Sequence, residues 1–154
     1  MTLDTEFSRL GKEVNQVAAC WRALEISVAE DRPAGVGLAA ADHLAEIVLD
    51  GTGEVEAATR ATQRPVSAES LHATASSLLS LRRRVDGHCR SHHAVSGLLR
   101  AVHGREQEWR GWAKSFHAGV DHCAAALSSA EDVMVRCWRE AVELAEFKGC
   151  GATR

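Results

Sequence analysis

His88 and His92 stand four residues apart, and so do His117 and Asp121. On a helix that spacing places both members of a pair on one face. If the two segments run antiparallel, a register that opposes His88 to Asp121 also opposes His92 to His117. Three imidazoles and a carboxylate then converge on one point. That donor set suits Zn²⁺ or another first-row transition metal held in a bundle core. Only neutral imidazole ligates, so affinity would fall below about pH 6. Other readings compete with a metal. Seam histidines also hydrogen-bond across to a partner helix. A register shifted by three instead opposes Cys89 to Cys123, where a disulfide or two apolar thiols would fit.

No further chemistry is written in the sequence. There is no Gly-x-Ser-x-Gly elbow, no phosphate-binding glycine loop and no helical Glu-x-x-His motif. The five cysteines, Cys20, Cys89, Cys123, Cys137 and Cys150, are widely spaced with no Cys-x-x-Cys. They read as reduced thiols of a cytoplasmic protein. Arg82-Arg83-Arg84, with Arg90 and Arg100, reads as a solvated helix face. No aromatic platform accompanies it, and the net charge of −3 favours no polyanion, so no nucleic-acid partner is expected. Neither a cleavable signal peptide nor an apolar run of the roughly 20 residues a membrane span needs is present. A non-enzymatic protein without a cofactor is the simplest expectation.

The elements that would position these residues are helical. Only Pro33 and Pro65 interrupt an alanine-rich chain with no tyrosine. Leu3, Phe7, Leu10, Val14, Val17, Trp21, Leu24 and Val28 advance by alternating fours and threes, a single stripe facing a partner. Asp31 to Gly37 ends that first helix. A second begins near Leu38 with Leu44, Val48, Val55 and Ala58 in line, and Gly51-Thr52-Gly53 predicts a kink or short break in it. Ser67 is a good N-cap for a third. Val66 and Leu71 form a hydrophobic staple, and Leu78, Leu81, Val85, His88, His92, Val95, Leu99 and Val102 make the stripe. From Ser67 to His103 this helix would be about 55 Å long at roughly 1.5 Å per residue. A fourth, from about Ala113 to Phe147, carries Phe116, Val120, Cys123, Leu127, Ala130, Met134, Cys137, Ala141 and Leu144 and ends at Lys148-Gly149.

The expected fold is therefore all-α: an elongated up-down-up-down four-helix bundle in one domain spanning 1–154. Residues 1–64 form an N-terminal helical pair, and 66–149 a long antiparallel C-terminal hairpin. Residues 1–65 carry 11 acidic and 6 basic side chains and the remainder 10 and 12, so the two parts attract modestly.

Trp109-Arg110-Gly111 falls between the two long C-terminal helices, with Trp112 and Phe116 just beyond. An indole there would cap the hairpin core, and the glycine would let the backbone turn beneath it. With Leu71 to Leu78 as an opening helix, this portion resembles the WXG family of small helical hairpins handled by type VII secretion. The resemblance covers about Val66 to Gly149 and rests on Trp109, Gly111 and Phe116. It implies a hairpin that pairs into a four-helix bundle, a protein partner or homo-oligomer, and an adaptor, chaperone or substrate role. It also implies export as a folded protein without a cleavable signal peptide. The first half would then be a built-in second hairpin. The family's C-terminal export signal, a tyrosine followed four residues later by an acid, has no counterpart, because the chain contains no tyrosine. In the plainer reading, Trp109 and Trp112 are aromatic plugs at one end of an ordinary bundle. If the chain is instead a small subunit of a larger assembly, an apolar stripe should remain exposed after the helices have packed.

Overall fold

The computed structural model describes the backbone of residues 2–33, 39–98 and 106–152, and the side chains of 2–33, 42–88 and 107–145. Four helices account for nearly all of it: α1 (Leu3–Ala29), α2 (Ala39–Gln63), α3 (Ala68–Leu98) and α4 (Glu106–Ala152). Among the described residues there is no strand. Each helix packs on its two neighbours in a ring, α1 on α2 and α4, α3 on α2 and α4, with none of the described residues bridging the diagonals. The protein is an all-α, up-down-up-down four-helix bundle, as the stripes predict.

The stripes form the core. Phe7, Leu10, Val14, Val17, Trp21, Leu24 and Val28 of α1 are all buried, as are Leu44, Val48, Val55 and Ala58 of α2. So are Leu78, Leu81, Val85 and His88 of α3, and the α4 series from Phe116 to Cys137. The cap at α3 is as the sequence dictates. Ser70 N–H donates to Ser67 Oγ at 3.0 Å, and Ser67 N–H donates back to Ser70 Oγ at 2.8 Å. This reciprocal pair satisfies two amides near the helix start. Val66 packs against the core that holds Leu71.

Three boundaries differ from expectation. First, α2 runs unbroken through Gly51-Thr52-Gly53. A helical glycine costs only about 1 kcal/mol relative to alanine, and Gly51 is held there by packing. A Cβ on Gly51 would lie 2.2 Å from Trp21 Cζ2, and the same indole donates from Nε1 to the Val48 carbonyl at 3.0 Å. The glycine admits a tryptophan rather than bending a helix. Second, α4 starts at Glu106, seven residues before Ala113. Trp109 and Gly111 therefore sit in its first turns rather than in an elbow. Third, α4 continues past Lys148-Gly149 to Ala152. At 47 residues it is about 70 Å long at roughly 1.5 Å per residue.

Among the described residues α4 packs most extensively on α1 and least on α3. The α1–α4 contact ties the two halves of the chain together. Arg136 Nε meets the buried Glu6 carboxylate at 3.3 Å, and Trp112 reaches Ser27. No helix among the described residues is long and apolar enough to cross a membrane.

Candidate functional site

The aromatic residues that carry the family resemblance form a ladder along one face of α4. Trp109 and Trp112 meet edge to face with centroids 5.9 Å apart, and Trp112 stacks on Phe116 at 5.4 Å and 23°. Phe116 in turn meets the His88 ring of α3 edge to face at 5.2 Å. Helical spacing of three and four places these rings over one another, and edge and offset contacts suit their quadrupoles.

Trp112 has a specific task. Its Nε1 donates at 2.9 Å to the carbonyl of Ser27 in the last turn of α1. Helix C-termini leave their last carbonyls without intrahelical donors. Here Glu30 and Asp31 both turn back to Ile26, and the indole serves Ser27. The ladder is thus a clasp between the start of α4 and the end of α1. It leaves almost nothing for a partner to touch, since Trp109 is 1 % exposed and Trp112 6 %. Trp109 Nε1 is buried with no hydrogen-bond partner among the described residues. Gly111 is helical and exposed, and a Cβ there would meet nothing within 4 Å. It therefore makes no turn and admits no close neighbour.

Two of the four candidate metal ligands come together. His88 Nε2 lies 3.4 Å from His117 Nδ1, with ring centroids 5.5 Å apart. Asp121 Oδ2 lies 3.7 Å from Nε2 of His117, the nitrogen on the far side of that ring. The carboxylate thus lies beside His117 on the side away from His88, beyond hydrogen-bond distance. The side chain of His92 lies outside the described residues. Among those described, no group of three or more His, Cys, Asp or Glu side chains is placed to hold a metal ion.

The thiols pair differently from the expectation. Cys89 lies outside the described side chains. Cys123, fully buried on α4, instead neighbours Cys20 on α1. Burial, with Cys20 adding to it, pushes the Cys123 thiol up to about 12. Burial, reinforced by Glu6 and opposed by Arg136, pushes Cys137 up to about 11. Both are protonated at neutral pH and behave as small apolar side chains.

Single exposed apolar residues lie on α1, α2 and α3 (Ile26, Leu49 and Leu79), whereas those of α4 fall in line. Val135, Trp138 and Val142 step by three and four along a second stripe, 55 %, 39 % and 51 % exposed. Trp138 and Val142 border an apolar groove of about 470 Å³ whose other wall is Leu3 of α1 and Leu71 of α3. The groove forms because α1 and α3 begin here while α4 runs on. Leu144, the last residue of the predicted core stripe, is consequently 44 % exposed. The sequence held the signal for this surface, since Val135, Trp138 and Val142 keep helical spacing one position off the Met134, Cys137, Ala141 seam. The arginine run is partly engaged, with Arg82 binding Glu131, Ser128 and the Ala124 carbonyl of α4.

No protein-family model matches the chain, and no curated protein or solved structure is significantly similar to it. The fold defines the class, an antiparallel all-α bundle.

Proposed function

We propose that the protein is a non-enzymatic helical interaction protein, resembling type VII secretion substrates, partners or adaptors. In this reading it acts through the outer face of α4. The observation that carries the proposal is the stripe Val135, Trp138, Val142, left uncovered beside the Leu3–Leu71 groove after the four helices have packed. A tryptophan on a groove rim is the kind of residue that anchors a protein interface. The partner is a protein or a second copy of the chain. No nucleic acid has a part in this reading. In this reading the protein works in the cytoplasm or leaves it folded.

The test is co-purification with a small helical protein from the source cell, together with light scattering of the isolated protein over a concentration series. Both are repeated on Trp138→Glu. The proposal expects a complex or dimer that Trp138→Glu abolishes while the helical spectrum is unchanged. A monomer without partners, or a complex indifferent to Trp138→Glu, contradicts it.

One distance supports a second reading, a metal-binding bundle. The 3.4 Å between His88 Nε2 and His117 Nδ1 matches the ligand–ligand edge of a tetrahedral zinc site, about 3.4 Å for Zn–N bonds near 2.05 Å. His92, one turn beyond His88, is the further donor this reading calls for. Elemental analysis of untagged protein and a thermal shift with Zn²⁺ decide it. Unchanged melting with added zinc and no bound metal end this reading.

A further inference from the structure

We propose that Cys20 and Cys123 are a redox pair, which a hydroperoxide closes into a disulfide that staples α1 to α4 at mid-bundle. The register of the two helices places them together. Leu24 of α1 faces Gly119 of α4 so closely that a Cβ on the glycine would lie 2.9 Å from Leu24 Cδ2. Because the helices are antiparallel, one turn back along α1 and one turn on along α4 leads from that pair to Cys20 and Cys123. The close approach at Gly119 draws the backbones together one turn from the two thiols, both of which are free. A disulfide asks for Cα atoms within about 7 Å, and facing positions beside a glycine contact suit that demand.

Their exposures assign the roles. Cys20 is half-buried at the edge of the core, whereas Cys123 is fully enclosed. Cys20 Sγ, as thiolate, attacks the distal oxygen of the hydroperoxide. The O–O bond breaks, leaving Cys20 as sulfenic acid and releasing water or an alcohol. Cys123 Sγ then attacks Cys20 Sγ. The S–S bond forms, the S–O bond breaks, and hydroxide leaves with the Cys123 proton as water. The two thiols are oxidised by two electrons and the hydroperoxide is reduced by two. Because Cys123 holds its proton tightly, closure is slow at pH 7 and faster at pH 9.

The bridge encloses a loop of about 100 residues, a length at which a cross-link strongly constrains the unfolded chain. The test uses the full chain, reduced and then treated with hydrogen peroxide, alkylated and digested without reductant. The expected product is a peptide pair joined through Cys20 and Cys123, lighter than the two thiol peptides by two hydrogens. The melting temperature should rise by roughly 10 °C and return with dithiothreitol. Cys20→Ser and Cys123→Ser should each remove both effects, and Cys89→Ser neither. Oxidation of Cys20 to sulfinate or sulfonate with Cys123 still reduced overturns the proposal. So does a Cys20 link to Cys89 or Cys150.

Discussion

Two tryptophan–glycine pairs stand in this chain, and they are opposites. Trp109 and Gly111 are two residues apart and share no packing, for the indole is buried in the bundle and the glycine faces solvent. Trp21 and Gly51 are thirty residues apart on different helices, yet the glycine exists at its position because the indole lies against it. The difference teaches that a glycine's meaning is set by what its missing Cβ would strike. Nearness in sequence made the first pair look like a motif. Steric exclusion makes the second a structural requirement, although the sequence alone presents it as a helix break.

Substitutions can break this contrast. The largest effect is expected for Gly51→Ala. The new methyl would overlap a buried, hydrogen-bonded indole fixed between two helices, so a loss of about 3 kcal/mol is expected. Denaturant unfolding would show it, and a neutral result would dismiss the Trp21–Gly51 contact as organising.

A smaller contrast separates the neighbouring indoles. Trp112→Phe removes the donor to Ser27 and strands that carbonyl. Trp109→Phe removes an N–H that has no partner among the described residues. Trp112→Phe should therefore cost about 1 kcal/mol more than Trp109→Phe, which paired chemical melts can resolve. Equal losses would deny the clasp between α1 and α4.

The smallest effect has the opposite sign. Gly111→Ala should stabilise the protein by about 0.5–1 kcal/mol, because an exposed helical glycine gains helix propensity and meets no neighbour. Destabilisation on this change would restore Gly111 as a turn or close-contact residue.

Much of the fold was legible because helical stripes repeat over many turns. All eight positions of the first stripe but Leu3 are fully buried, and Ser67 caps α3 with the predicted Val66–Leu71 staple nearby. The α2 glycines were misread because composition reports a glycine's local cost and not the tertiary contact that outweighs it. The α4 start was misread because Trp-x-Gly looks like an interruption, whereas Trp109, Trp112 and Phe116 already continue the apolar stripe backward. Pairing was the least legible. Stripes say that a helix has a partner but not which helix; the short connection made α3 and α4 neighbours, as they are, without showing how closely α4 also packs on α1 among the described residues. The same gap explains the thiols, since Cys123 was weighed against Cys89 on the adjacent helix and meets Cys20, a hundred residues away in sequence. The His88–His117 approach was anticipated as a neighbourhood, while the particular pairing of nitrogens required the register.

The central claim is a division of labour among the four tryptophans: Trp21, Trp109 and Trp112 hold the bundle together, and Trp138 faces outward. Acrylamide quenching of the intrinsic fluorescence tests it directly in the native protein and in Trp138→Phe. One emitting population should be readily quenched in the native protein, and Trp138→Phe should remove it. Strong quenching that persists in Trp138→Phe would put Trp109 or Trp112 at the surface and contradict the account.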